Sequence, residues 1–64
     1  MNYVEVYKSV LDFHRKYSQM TGTDKEWEEL VKEADGIARK FGNGRFVRDL
    51  ILAVQNEIKR KLEG

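Results

Sequence analysis

Residues 41–62 read FGNGRFVRDLILAVQNEIKRKL, which is the most apolar run of the 64-residue chain with a glycine-rich break at its start. Gly42 has no Cβ and can take the left-handed conformation that ends a helix. Asn43 is expected to cap the next helix by accepting a hydrogen bond from one of its free N–H groups. The break therefore predicts that one helix ends near residue 41 and that another begins near residue 44.

Apolar residues after the break recur every three or four positions, which predicts a helix over residues 44–62 with one apolar face. They are Phe46, Val47, Leu50, Ile51, Val54, Ile58 and Leu62. Leu52 lies on the opposite side, in a patch of basic and polar side chains: Arg45, Arg48, Gln55 and Lys59. Two interpretations are open. Leu52 is either a single exposed leucine, which is ordinary on protein surfaces, or an anchor at the centre of a basic contact patch.

Residues 3–20 predict a first helix with an unusually wide apolar arc. The arc spans about 200° on a helix of 3.6 residues per turn, where about 100° is enough for a small bundle. Its apolar members, three of which are tyrosines, are Tyr3, Val4, Val6, Tyr7, Val10, Leu11, Phe13, Tyr17 and Met20. His14 lies in the middle of the same stripe. Either this helix is wedged between the other two, or part of its aromatic surface meets a partner outside the domain.

Residues 24–41 have the most regular helical periodicity in the chain. Thr23, followed three residues later by Glu26, predicts a capping box at the start of this helix. The apolar positions are Trp27, Leu30, Val31, Ala34, Ile37, Ala38 and Phe41. Trp27 is expected to be the largest single contributor to the core, because it has the largest side chain in the pattern.

Three helices joined by two short glycine-containing loops predict an all-α fold, an antiparallel up-down-up three-helix bundle. Sixty-four residues are enough for one domain, which is expected to span residues 1–64. The absence of proline favours helix throughout, and the absence of cysteine excludes disulfides and thiolate metal sites. Stability must then come from helix packing, from a partner or from self-association.

Net charge is +1, so no overall field draws the chain to nucleic acid or to a membrane. The charge is nevertheless unevenly distributed. Residues 21–44 carry four basic and six acidic groups, a net −2, whereas residues 45–64 carry five basic and three acidic groups, a net +2. No apolar run approaches the ~20 residues of a membrane span, and no signal-peptide pattern opens the chain. The expected location is cytoplasmic.

Sequence features of catalytic, cofactor-binding or metal-binding sites are not found. The segment FGNGR lacks the lysine and the spacing of a phosphate-binding loop. No two carboxylates fall on an apolar face, where burial could separate their pKa values for acid–base chemistry. His14, the only histidine, has neither a cysteine nor a second histidine as a companion, which favours a structural role. The chain is therefore expected to be non-enzymatic, without cofactor or metal.

The segment GNGRFVRDL, residues 42–50, is similar to the small helical lid of AAA+ ATPases of the sporulation-protein-K and rubisco-activase-like type. In those lids an arginine of such a motif senses nucleotide. The resemblance covers nine residues, and these 64 residues contain no Walker A or Walker B motif, so it implies no nucleotide-sensing role for Arg45.

A wider resemblance covers most of the chain. It includes FHRKY at residues 13–17, Trp27 at the start of the second helix, and RDLILAV at residues 48–54 followed by Glu57-Ile58. This pattern resembles a group of short, uncharacterised proteins from prophages and mobile elements of Gram-positive anaerobes. The resemblance implies a helical fold and a mobile-element context, and no activity.

The leading functional hypothesis is a helical protein–protein interaction module, which modulates a host or phage protein. The candidate partner surface consists of Tyr3 and the Leu52 patch: Arg45, Arg48, Leu52, Gln55 and Lys59. An alternative is a small nucleic-acid-binding protein that uses the basic face of the third helix, with contacts from Arg45, Arg48, Lys59 and Arg60. A further alternative is a self-associating structural protein whose homodimer completes the core.

Overall fold

The chain folds into three helices, α1 (Tyr3–Tyr17), α2 (Asp24–Lys40) and α3 (Arg45–Glu63). They form an up-down-up bundle in which every helix contacts the other two, as predicted. The computed structural model describes residues 2–64, so Met1 of the predicted domain lies outside the described residues. The molecule measures 34 × 18 × 17 Å.

The core lies along the axis shared by the three helices. Its buried members are Val6, Val10, Phe13, Tyr17, Met20, Leu30, Ala34, Ala38, Val47, Ile51 and Ile58. Leu30, Val6 and Val47 are the largest fully buried side chains. Trp27, predicted to be the largest single contributor to the core, is half-buried and packs against the cluster of buried residues.

The first helix ends three residues before its predicted end at residue 20. Ser18 is its C-cap, and the serine hydroxyl donates a hydrogen bond of 3.0 Å to the carbonyl of Arg15. Met20 lies beyond the helix but is still buried in the core. The apolar pattern reports burial, and here burial continues after the helical backbone has ended. The other predicted helix ends lie within one residue of the observed ones.

The joint between α2 and α3 differs from the prediction in the role of Asn43. Gly42 has φ 78° and ends α2 in the left-handed conformation, as predicted, but Asn43 is left-handed as well, with φ 57°. Its N–H donates to the carbonyl of Ala38 at 2.7 Å, and the N–H of Gly42 donates to Arg39 at 3.1 Å. This pair of bonds is a Schellman motif, and it leaves Gly44 as the N-cap of α3 without a side-chain cap. Asn43 therefore closes α2 instead of capping α3.

Two glycines in opposite settings provide a matched pair of predictions. Gly36 lies in the interior of α2, and a Cβ added there would have nothing within 4 Å, so Gly36→Ala is expected to stabilise the fold by about 0.5–1 kcal/mol. Gly42 also has open space around it but needs positive φ, so Gly42→Ala is expected to destabilise the fold by about 1–2 kcal/mol. Urea unfolding measures both changes. Equal effects of the two substitutions would contradict the assigned backbone conformations.

Candidate interaction surfaces

Among residues 2–64, seven large apolar side chains are exposed on the surface of the bundle. They are Tyr3, Val4, Tyr7, Leu11, Val31, Leu52 and Leu62. The first four belong to α1, and the others border the cleft between α2 and α3. The exposed apolar surface is therefore divided between two sides of the bundle.

The first side, which we call the aromatic face, consists of Tyr3, Val4, Tyr7 and Leu11 of α1 with Phe46 of α3. The ring of Phe46 meets Tyr3 at 5.3 Å between centroids and Tyr7 at 5.7 Å, both edge-to-face. Tyr3 is nevertheless 58% exposed and Tyr7 55% exposed. Tyr3, Tyr7 and Leu11 follow one another at four-residue steps, so they form one continuous apolar stripe along α1. The wide arc of the first helix is thus buried on one side and exposed on the other.

The second side, which we call the groove face, lies where α2 and α3 run side by side. A groove of about 660 Å³ is lined there by exposed Val31 and Leu52 and by the polar side chains of Asp35, Arg48 and Gln55. Val31 is 57% exposed and Leu52 is 54% exposed. Leu52 therefore shares the groove with a second exposed aliphatic side chain, Val31, which belongs to the apolar periodicity of the second helix.

The groove face continues toward the loop between α1 and α2. A second cleft there is lined by Trp27, Lys59 and Leu62, together with Gly22 of the loop. The Leu62 side chain lies against Gly22, where an added Cβ would come within 3.3 Å of it. Trp27 and Lys59 thus occupy the same level of the bundle, at the opposite end of the groove face from Arg48.

The basic residues predicted to bind nucleic acid differ in their charged neighbours. Arg45 lies 4.0 Å from Asp49, which lines the groove between α2 and α3, and Arg60 forms an ion pair with Glu57. Arg48 and Lys59 line the groove face and are in no ion pair among residues 2–64. Arg48, Leu52, Gln55 and Lys59 therefore line the groove face, whereas Tyr3 belongs to the aromatic face.

A polar cluster on the third side of the bundle joins α1 to α2. Lys16 forms an ion pair with Glu33 beside Tyr17, whose buried hydroxyl has no hydrogen-bond partner in the described part of the chain. Burial raises the pKa of the Tyr17 hydroxyl, and the Glu33 carboxylate adds to the increase. The hydrogen bond to Glu33 likewise raises the pKa of Lys16. Both shifts hold the protons on these groups, which disfavours their use as nucleophiles or bases.

Within the described residues 2–64, no group of three or more histidine or acidic side chains is placed to hold a metal ion. Over the same residues, no helix has both the length and the apolar character that a bilayer crossing requires. His14 is half-buried on α1.

Comparison with protein families, with curated proteins and with solved structures finds no match to this chain. The functional argument therefore rests on the two exposed faces themselves.

Proposed function

We propose that this protein is a small non-enzymatic interaction module whose aromatic face docks an amphipathic helix of another protein. The observation that supports the proposal is the uncharged stripe of Tyr3, Tyr7 and Leu11, which stays about half exposed after the domain has folded. Covering such surface releases about 25 cal/mol for each Å² of apolar area removed from water. Aromatic side chains are also the type most enriched at binding hot spots.

The shape of the face favours a helix as the occupant. The rings of Tyr3 and Tyr7 both meet Phe46 edge-to-face, and the stripe continues past them to Leu11 over two helical turns. An amphipathic helix with apolar side chains at three- and four-residue steps can lie along such a stripe. The tyrosine hydroxyls can meanwhile bond to polar groups at the edge of the interface.

The charges beside the face favour an acidic partner. Lys8 and Arg15 each lie four residues after an apolar member of the face, Val4 or Leu11, and so share its outer edge. Neither side chain is in an ion pair with any residue from 2 to 64. A partner helix flanked by aspartate or glutamate would be attracted to this edge, and the attraction would weaken with added salt.

The proposal is tested by affinity capture with the immobilised protein, followed by reconstitution with the purified captured protein. The double variant Val4→Glu/Leu11→Glu is expected to weaken binding of that protein by at least about 30-fold, since two exposed anchors of about 1 kcal/mol or more each are lost. The matched control is Gln19→Glu/Asn56→Glu, which adds the same charge at exposed positions outside both faces. It is expected to bind like the wild type.

Circular dichroism should show both double variants as helical as the wild type, because all four substituted positions are exposed. A captured protein that binds the wild type and the Val4→Glu/Leu11→Glu variant equally would overturn the assignment of the aromatic face. The mobile-element context and the cytoplasmic location stay predictions from the sequence. The nucleic-acid alternative is weakened because two of its four arginine and lysine contacts are paired with acidic neighbours.

A further inference from the structure

The two helices of the groove face carry stripes of opposite charge with the same spacing. On α2 the stripe is Asp24, Glu28, Val31 and Asp35, and on α3 it is Arg48, Leu52, Gln55 and Lys59. Both follow steps of four, three and four residues, so each stripe is one line along its helix. One stripe is acidic and the other basic, and each has a single exposed aliphatic side chain inside it. The two stripes are therefore opposite in charge, while Arg39 of α2 and Asp49 of α3 also line the groove.

The two stripes are also aligned along the bundle. α2 and α3 run in opposite directions, and Asp35 lines the same groove as Arg48 at one end. Trp27, which precedes Glu28, lines the same cleft as Lys59 at the other end. Val31 and Leu52 lie between these two levels. Acidic and basic groups thus face each other at the same heights but across a groove, and neither Arg48 nor Lys59 closes an ion pair with α2 within the described chain.

We infer that the occupant of the groove face is a second copy of this chain, related by a two-fold axis parallel to the helices. Such an axis places the acidic stripe of each copy over the basic stripe of the other. Glu28 then meets Lys59 of the partner subunit, and Val31 meets Leu52 of the partner subunit. Asp35, which also forms an ion pair of 3.0 Å with Arg39 of its own helix, meets Arg48 of the partner subunit. Because the interface is isologous, every contact is made twice. A two-fold axis perpendicular to the helices would instead oppose acidic to acidic and basic to basic stripes.

The size of the face fits a weak, reversible dimer. A side of 34 by 18 Å gives roughly 600 Å² of covered area per copy and on the order of 1,200 Å² in total. Specific interfaces bury about 1,200–2,000 Å², so this dimer lies at the lower end of the range. The free chain exposes 4827 Å², compared with about 4,300 Å² expected for a folded monomer of 7.6 kDa.

Sedimentation equilibrium of the purified chain tests the inference. The average mass is expected to rise from 7.6 kDa toward twice that value between about 10 µM and about 1 mM protein, as mass action requires for a dissociation constant on the order of 10⁻⁵–10⁻⁴ M. Leu52→Asp is expected to keep the mass at the monomer value throughout, because it places a charge twice in the apolar centre. A monomer mass for the wild type over the whole range would overturn the inference.

A charge exchange tests the direction of the axis. Glu28→Lys alone puts lysine opposite Lys59 at both symmetric contacts. Lys59→Glu alone puts glutamate opposite Glu28 at both contacts. Each variant is therefore expected to dimerise at least about tenfold more weakly than the wild type. An equimolar mixture of the two variants restores opposite charges at both contacts. Its average mass is therefore expected to return to that of the wild type. A mixture that stays monomeric, or single variants that dimerise like the wild type, would contradict the proposed pairing.

Two controls separate this inference from the proposed function. Lys25→Glu makes the same charge change as Lys59→Glu at an exposed position of α2 outside both stripes, and is expected to leave the dimer intact. Leu11→Asp alters the aromatic face, which lies on the other side of α3. This variant is also expected to leave the dimer intact. Loss of the dimer in Leu11→Asp would mean that the copies meet through the aromatic face, and the groove-face pairing would be wrong. The outcome of the capture experiment on the aromatic face does not depend on the average masses that sedimentation equilibrium measures.

Discussion

Leu30→Ala is expected to lower the midpoint of thermal unfolding by more than about 10 °C. Truncating a fully buried leucine costs about 2–5 kcal/mol. Each kcal/mol of lost stability lowers the midpoint of so small a domain by about 4–8 °C. Leu30 is 0% exposed and lies in the core where the three helices meet. The cost combines the lost burial with the cavity that the truncation leaves. At roughly 0.05–0.15 kcal/mol per residue, the whole chain is stable by only about 3–10 kcal/mol.

The residue next to Leu30 provides the control. Val31 is on the same turn of α2 but is 57% exposed, so Val31→Ala is expected to change the free energy of unfolding by no more than about 0.5 kcal/mol. Both variants are measured by urea unfolding at a protein concentration low enough to keep the chain monomeric, because the groove face contains Val31. Equal losses for the two substitutions would show that the core does not pass through Leu30.

The fold could be predicted from the sequence because its main determinants are local. Thr23 and Glu26 form the predicted capping box, and Gly42 ends α2 as the glycine-rich break indicated. The periodicity of apolar residues located three helices, and three helices with short connections leave one simple arrangement. Asn43 was assigned wrongly because asparagine is favoured both as an N-cap and in the left-handed conformation. Only the geometry of the joint decides between these two roles.

The surfaces were harder to predict, because exposure depends on how the helices are rotated against each other. Val31 follows the apolar period of α2, yet its stripe also contains Asp24, Glu28 and Asp35. Those acidic neighbours were the signal in the sequence that Val31 lies at the edge of the apolar arc. Likewise, Phe46 belongs to the core pattern, but its ring also supports two exposed tyrosines. Contacts between helices, and not periodicity within one helix, determine which apolar residues remain outside.

Glu26 is the residue whose ionisation we expect to control stability in acid. Its carboxylate accepts hydrogen bonds from the N–H and hydroxyl groups of Thr21 and Thr23 and from the N–H of Gly22, at 2.8–3.3 Å. The Thr23 backbone N–H, followed by the Thr21 hydroxyl, makes the largest contribution to lowering the pKa of this carboxyl from 4.5 to about 2. One side chain thus satisfies most of the polar backbone between α1 and α2.

The lowered pKa fixes the sign of the pH dependence. The unfolded chain binds a proton at Glu26 at higher pH than the folded chain does, so acid favours unfolding. The contribution of Glu26 is fully present above pH 4.5 and is lost as the pH falls toward about 2. Glu26→Gln has no proton to gain, so its stability deficit relative to the wild type is expected to be largest above pH 4.5 and to shrink steadily below it.

Urea unfolding of both proteins from about pH 6 to about pH 2 measures this difference across the interval in which the linkage operates. Glu29→Gln is the matched control, since Glu29 is exposed on the same helix and its carboxylate accepts none of the hydrogen bonds of the described residues. Its difference from the wild type is expected to vary much less over the interval. The carboxyl carbon of Glu26, followed by NMR, should titrate near pH 2 in the folded chain. A titration midpoint near 4.5 would show that the N–H and hydroxyl groups of residues 21–23 do not bind this carboxylate. The joint between α1 and α2 would then depend on the packing of Met20 and Trp27 alone.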